Sequence, residues 1–425
     1  MIMTPGPGNA EMKGLVKRLA VSMILAAAVL AGVGPAAAQA PVRVGVVLPL
    51  SGRNAVVGQS NLFGIRLVID TINAAGGIKS LKGGKVELIV ADNASGTVSS
   101  AAEARRLIDA ERVAIILGPY STPEAEATVP VTERAGVGLI ATQAAYDGLF
   151  DRGYRGFTTV SMSASQFGRS YAEFLKWLNQ KHNAGIKTLA ITYADNDYGQ
   201  TAAKSTQQEM IAAGMSIVDM RAFPPTVQDL TPVVLRLKQM SPDAIVSIGY
   251  FQDGILLHTA RVAQGYTDQP IWAGGSASFT DDRLWTTLGE KIARPALSRR
   301  TFGLAQFDSA AQTPGVKWLL AAARRQKADT IVDQAMAAGA QAAWILVEAL
   351  EASGATQREA LAAAVKKVRI PAGSERVTMP QFINGVAFDP NGKPMDPTAL
   401  FVQWKDGTKQ IVYPESLKTA DVKLR

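Results

Sequence analysis

The sequence predicts an α/β protein of two lobes, each a doubly wound parallel sheet. Three observations lead there. Short apolar runs alternate with amphipathic stretches in two successive series, and 47% of the 425 residues are hydrophobic, enough to fill two cores. A chain of this length also exceeds what one core usually holds. Strands alternating with helices of roughly 10 to 15 residues mean parallel strands covered on both faces.

The first series opens with Val42–Leu48 (VRVGVVL), a strand closed by Pro49. A helix from Asn61 to Ala75 carries Leu62, Ile65, Val68, Ile69 and Ile72 on one face and stops at Gly76-Gly77. Val86–Ala91 is the second strand, Ala101–Ala110 the second helix, Ile115–Leu117 the third strand and Gly138–Ala141 the fourth. The pattern then restarts. Phe167–Gln180 is helical, Thr188–Tyr193 a strand, and Gly199–Ala213 a helix ending at Gly214. Ala244–Ile248 is a strand, Gly254–Gln264 a helix ending at Gly265, and Pro270–Trp272 a short strand. There is no repeat of fixed period and no low-complexity segment.

Ahead of the first strand, Lys13, Lys17 and Arg18 precede an uncharged run from Leu19 to Val33, then Gly34-Pro35 and Ala36-Ala37-Ala38. A basic end, an apolar core too short for a comfortable span and a small-x-small site make a secretory signal peptide, residues 1–38, cut before Gln39. It reads most naturally from Met12. Its removal lowers the formal net charge from +8 to +6. The remaining Lys and Arg are scattered, with no basic stripe interleaved with aromatics, so no nucleic-acid partner is expected. With no cysteine, the chain has no disulfide, no thiol nucleophile and no lipid anchor through a thiol. The expected product is a soluble periplasmic monomer without cofactor or metal.

In open parallel sheets, ligands bind beyond the carboxyl ends of the strands. In the first series those ends are Leu50-Ser51-Gly52-Arg53-Asn54, Gly118-Pro119-Tyr120-Ser121-Thr122 and Thr142-Gln143-Ala144-Ala145-Tyr146. In the second they are Ala194-Asp195-Asn196-Asp197-Tyr198-Gly199, Gly249-Tyr250-Phe251-Gln252-Asp253-Gly254 and Gly274-Gly275-Ser276. Hydroxyls, amides and aromatics at such ends line a pocket for a small polar molecule with an apolar part. At the third strand, Thr122 reads as a helix N-cap with Pro123 at the first helical position and Glu124 in the first turn. Ser121, Thr122 and the amides behind them also suit a carboxylate, although Glu124 and Glu126 already answer the helix dipole. The residues alone leave both readings open.

PVRVGVVLPLSG, FGIRLVIDTINAAGGIKSLKGGKVELIVADNAS, ILGPYSTPEAEATVPVTERAGVGLIATQAA and ITYADNDYGQ follow one another in this order. The ordered set, spanning Val42 to Val412, resembles the periplasmic leucine/isoleucine/valine-binding proteins, the solute receptors of ABC-type importers. The resemblance implies the type I periplasmic binding fold: two lobes of a Venus-flytrap joined by three hinge crossings, with the ligand clamped between. It implies that Ser121-Thr122 and Gln143-Ala144-Ala145 hold the ligand's polar head, and that Tyr198 closes over it from the second lobe. It implies a membrane permease as partner and an amino acid, an aromatic or aliphatic carboxylate, or an amide as ligand. On this reading the first lobe comprises 42–161 and 299–393, and the second 162–298 and 394–425. The expected ligand-binding residues are Ser51, Tyr120, Ser121, Thr122, Gln143, Ala144, Ala145, Tyr146, Tyr198, Tyr250, Gly275 and Ser276.

Three positions depart from the family pattern. Gly274-Gly275-Ser276 stands where an acid usually pairs with the ligand's ammonium, Ala145 replaces a threonine, and no tyrosine lies near Val57. A buried ammonium without a partner costs several kcal/mol. Either Asp253 or Asp333 substitutes, Asp253 serving better as a helix N-cap, or the ligand lacks an amine. Tyr146, Tyr198, Tyr250 and Phe251 suit an amine-free aromatic ligand.

Two other function classes compete. A secreted serine hydrolase needs a histidine; His182 reads as a solvated helix end and His258 as a helix-face residue, and Gly274-Gly275-Ser276-Ala277-Ser278 misses the last glycine of a nucleophile elbow. Gly83-Gly84-Lys85 lacks the spacing of a phosphate loop, and there is no HExxH. No catalysis is expected. A ligand-sensing receptor shares the implied fold but normally carries a membrane helix.

Overall fold

The computed structural model describes residues 1–3, 40–275, 277–297 and 300–424. The expected leader therefore lies almost wholly outside the described residues. Among those described, no helix is long and apolar enough to cross a membrane.

The first series builds a five-stranded, all-parallel sheet in the order β2-β1-β3-β4-β5. It runs β1 (Val42–Leu48), α1 (Ala55–Ala74), β2 (Val86–Asp92), α2 (Thr97–Asp109), β3 (Ile115–Leu117), α3 (Thr122–Arg134), β4 (Gly138–Ala141), α4 (Gly148–Asp151) and β5 (Phe157–Thr159). β3 and β4 are apolar throughout, and β1 is apolar except at Arg43, because helices cover both faces. β5 (FTT) is too short and too polar to register as an apolar run.

The second series builds a seven-stranded sheet, β14-β13-β10-β9-β8-β6-β7. It runs α5 (Ala164–His182), β6 (Thr188–Ala194), α6 (Asp197–Ala212), β7 (Ser216–Phe223), α7 (Thr231–Met240), β8 (Ala244–Ile248), α8 (Phe251–Ala263), β9 (Ile271–Gly275), the short helices α9 (Ala277–Thr280), α10 (Leu284–Leu288) and α11 (Glu290–Ala296), and β10 (Thr301–Ala305). The unpredicted β7 is a half-exposed edge strand with charges in it, so no clean apolar run marks it.

The chain then returns to the first sheet with α12 (Pro314–Gln326), α13 (Gln334–Ser353), α14 (Arg358–Lys366) and a two-residue pairing of β11 (Arg369–Ile370) with β12 (Val386–Ala387). Met336, Ile345, Leu346 and Val347 of α13 share one core with Val44, Val46, Ile65 and Val68. Finally β13 (Leu400–Lys405) and β14 (Thr408–Tyr413) add antiparallel strands beside β10. The chain thus passes between the two sheets three times, over 160–163, 306–313 and 388–399.

One boundary differs from the sequence reading, which gave 299–393 to the first lobe. β10 pairs with β9 in register Phe302↔Ala273, so the second crossing follows Ala305. Nothing local in TFGLA says which sheet it joins; only the long-range pairing does.

Candidate functional site

The carboxyl ends of the strands converge on a small cavity between the lobes. Tyr120, Ser121, Thr122, Gln143 and Ala145 line it from the first lobe, and Phe167, Tyr198 and Tyr250 from the second. Ser161 and Gln306, from two of the crossings, complete it.

The local structure of each wall follows from sequence. Gly118 ends β3 at φ +92, and a Cβ there would stand 2.1 Å from the Val47 carbonyl oxygen. Only glycine allows that turn. The helix cap is Ser121, one residue before the Thr122 expected: Thr122 is the first residue of α3, and the Ser121 N–H donates to Glu124 Oε2 at 3.0 Å in a capping box. Thr122 faces the next loop, where its Oγ1 accepts the Ala145 N–H at 3.0 Å. That contact uses the Ala145 amide and leaves the Thr122 hydroxyl hydrogen available. Glu124 is buried behind Ser121; burial pushes its carboxyl up against the pull of the Ser121 bonds.

Three tyrosines and a phenylalanine form the apolar part. Tyr120 meets Tyr250 edge-on at 6.2 Å between ring centres, Tyr198 lies 5.9 Å from Tyr250, and Phe167 meets Tyr198 edge-on at 5.7 Å. Burial raises the Tyr198 and Tyr250 phenols well above their ordinary range, so both stay protonated donors. The Tyr250 oxygen takes a bond from Asn196 Nδ2 at 3.3 Å. Tyr198 Oη and Gln143 Oε1, one from each lobe, are buried with no hydrogen-bond partner among the described residues. Gln306 is fixed from below, its Oε1 accepting from Ser161 Oγ and the Met162 N–H, both at 3.0 Å.

Other expected residues lie elsewhere. Ser51 is exposed, with its N–H on Asp92 Oδ1 at 3.2 Å. Ala144 is enclosed in the first lobe's core, and Tyr146 packs at the edge of that core. Ser276 is outside the described residues. Gly275 ends β9 instead of lying in a loop, and a Cβ on it would stand 2.2 Å from the Tyr171 hydroxyl, itself buried without a partner.

Both acids named as substitutes are engaged. Asp253 is the third residue of α8, not its cap; it accepts the Tyr250 N–H at 2.9 Å and Arg53 Nη2 at 2.6 Å. Asp333 caps α13, accepting the Met336 N–H at 2.8 Å and Ser60 Oγ at 2.6 Å, and also pairs with Arg283. His258 is buried, 3.1 Å from both the Ser278 carbonyl and Arg261 Nη1, and His182 stacks edge-on against Trp177.

Sequence reasoning missed Ser161, Phe167 and Gln306. Two belong to crossings and one to the start of α5, none of them at the end of a recognised strand.

The two-sheet architecture with a cavity at the strand ends is matched by a family profile described as periplasmic binding protein, over residues 41–409. The chain belongs to that family. It is 28% identical over 402 residues to Leu/Ile/Val-binding protein homolog 7 of Brucella suis, covering 94% of this chain and 97% of that one. Among solved structures, the isoleucine complex of LivJ from Streptococcus pneumoniae superposes with a TM-score of 0.73 at 22% identity, covering 88% of this chain and all of that one. A solute-binding protein of Rhodopseudomonas palustris in complex with 3,4-dihydroxybenzoic acid also gives 0.73 at 22% identity, over 87% and 95%.

Proposed function

We propose that this periplasmic binding protein captures a small amine-free carboxylate, aromatic or aliphatic, between its lobes and delivers it to the membrane permease of an ABC-type importer. The observation that carries the reading is the neutrality of the cavity. Its described lining holds amides, hydroxyls and aromatic rings but no charged side chain. Asp253 and Asp333 are spent on arginines, so an enclosed ammonium would lack the countercharge it needs. A carboxylate fits better: the hydroxyls of Ser121 and Thr122 and the amide of Gln143 meet it at the start of α3, where the helix dipole adds to them. The four rings then enclose a flat or apolar body. The Tyr198 hydroxyl favours a ligand with a second polar group at its far end, since a buried phenol left unpaired costs binding energy. The aromatic acid bound by the R. palustris relative has this shape, whereas the isoleucine bound by LivJ carries an amine.

In this reading residues 1–38 direct export to the periplasm and are removed. The moving lobes are 42–161 with 306–393, and 162–305 with 394–425, and the monomer closes on ligand by hinge motion.

The test is a thermal-shift screen on mature protein, unfolded and refolded to strip carried-over ligand. The panel pairs leucine, isoleucine, valine and phenylalanine with their deaminated acids, and adds benzoate and 4-hydroxybenzoate. A ligand at a hundred times its Kd adds ~2.7 kcal/mol of stability. Shifts with the amine-free acids alone are expected; shifts with the amino acids and not their acid partners would overturn the reading.

A further inference from the structure

Gln306 follows β10 at the start of the second crossing and lines the cavity. The residue is buried, and three of its four polar groups are committed to the protein. Its backbone N–H donates to Oε1 of Gln334, the first residue of α13, at 2.8 Å. Its carbonyl accepts the Gln381 N–H at 3.3 Å. Its Oε1 accepts from Ser161 Oγ and from the Met162 N–H, both at 3.0 Å. Only Nε2 is bonded to no described residue.

The orientation of this amide is forced. A backbone N–H donates and cannot accept, so the atom facing Met162 must be the oxygen. Turning the amide over would set Nε2 against that N–H, donor against donor. With both lone pairs of Oε1 occupied, the NH2 group is what Gln306 offers the cavity, and that group donates only. Gln143 differs. Its Oε1 has no partner among the described residues, so no bond to that oxygen fixes which end of the amide a ligand meets.

The seat of Gln306 is held from every side. Gln381, which bonds its carbonyl, also donates from Nε2 to the Val160 carbonyl of the first crossing at 2.6 Å. The Gln381 carbonyl accepts the Thr398 N–H of the third crossing at 2.8 Å. Two glutamines thus tie all three crossings together. A donor fixed before the ligand arrives loses little freedom when the ligand binds.

We infer that Gln306 is a specificity-determining residue: its Nε2 donates to an oxygen of the ligand on the hinge side of the cavity, admitting solutes with an acceptor at that point and rejecting an ammonium there. A donor-only group facing an ammonium makes no bond and leaves both desolvated. The inference rests on the reading of the cavity as a site for acids and narrows it: the acid turns a carboxylate or hydroxyl oxygen toward the crossings.

The test follows the side-chain NH2 signals of isotope-labelled glutamine by NMR in refolded protein, with the Gln306 pair assigned through its backbone. The probes are benzoate, 4-hydroxybenzoate, and leucine, isoleucine, valine and phenylalanine with their deaminated acids. Each probe that raises the melting temperature should move the Gln306 pair to lower field, as in a bond to an anionic oxygen. The pair of Gln341, which bonds the Arg376 carbonyl at 3.0 Å away from the cavity, should stay in place. An acid that raises the melting temperature without moving the Gln306 pair overturns the inference and leaves the acid reading standing. Leucine moving the pair while its deaminated acid does not bind supports the donor and overturns the acid reading. No movement with any probe overturns the inference. Gln306→Glu still offers Ser161 and Met162 an acceptor but turns a second acceptor to the cavity. Acid affinity in calorimetric titration should fall about tenfold or more; parental affinity in this variant overturns the inference, and the NMR result in the parent stands whether or not the variant folds.

Discussion

Two sets of contacts join the lobes, and their chemistry is opposite. In one, Val57, Tyr120 and Ala335 of the first lobe pack against Phe251, Leu284 and Leu288 of the second in a buried apolar cluster. Arg53–Asp253 and Arg283–Asp333 add opposite charges to it, and Ser60 bonds Asp333. In the other, around the cavity, Ser121, Thr122 and Gln143 of the first lobe face Tyr198 and Tyr250 of the second with no charged side chain in the described lining. Closing the first set removes apolar surface from water and pairs every charge just named. Closing the second leaves Tyr198 Oη and Gln143 Oε1 buried without a partner among the described residues. The first set supplies steady attraction between the lobes; the second is costly until polar groups fill it.

The largest effect should come from breaking the steady side. Asp333→Ala strips the cap of α13, the partner of Ser60 and one partner of a half-buried arginine at once. A loss of ~3–5 kcal/mol is expected in denaturant unfolding, as for breaking a buried ion pair. Next, Tyr198→Ala removes a ring that packs against both Phe167 and Tyr250. Affinity for whichever acid shifts the melting temperature should fall by about a hundredfold in calorimetric titration, the order expected for a central aromatic anchor. Gly275→Asp would collide with the Tyr171 hydroxyl. It should cost ~1–3 kcal/mol as an overpacked site and give no gain in leucine affinity; a gain would show that the neutral cavity accepts an amine once an acid is supplied. The smallest change is Arg53→Gln, which leaves Asp253 with the Tyr250 N–H alone. The Arg53 side chain is 27% exposed, so ~1 kcal/mol is expected by thermal unfolding.

How much of this was legible in the sequence varies with distance along the chain. β3, β4 and β8 lie where the apolar runs placed them, because strands buried on both faces are almost wholly apolar, Ser247 of β8 being the one polar residue in the three. The loops at Tyr120–Thr122, Gln143–Ala145, Tyr198 and Tyr250 were legible for a topological reason: strand ends of parallel sheets face the cleft. Ser51 obeys the same rule yet misses the cavity, since its strand end is tied back to Asp92 and Ser95. Gln306 and Ser161 were illegible because they lie in connections whose path depends on where both sheets sit. The Asp253 and Asp333 pairings were illegible too, as their arginines are 200 and 50 residues away.

By itself the sequence determined the two α/β series, the parallel strand ends whose loops line the cavity, and the glycine turn and capped helix after β3. All of these are set by periodicity and by neighbours within a few residues. Only the tertiary structure decided that β10 completes the second sheet, that Tyr171 fills the space beside Gly275, and that Arg53 meets Asp253. Each of those depends on a contact between residues far apart in the chain, and no local pattern encodes which distant side chain will arrive.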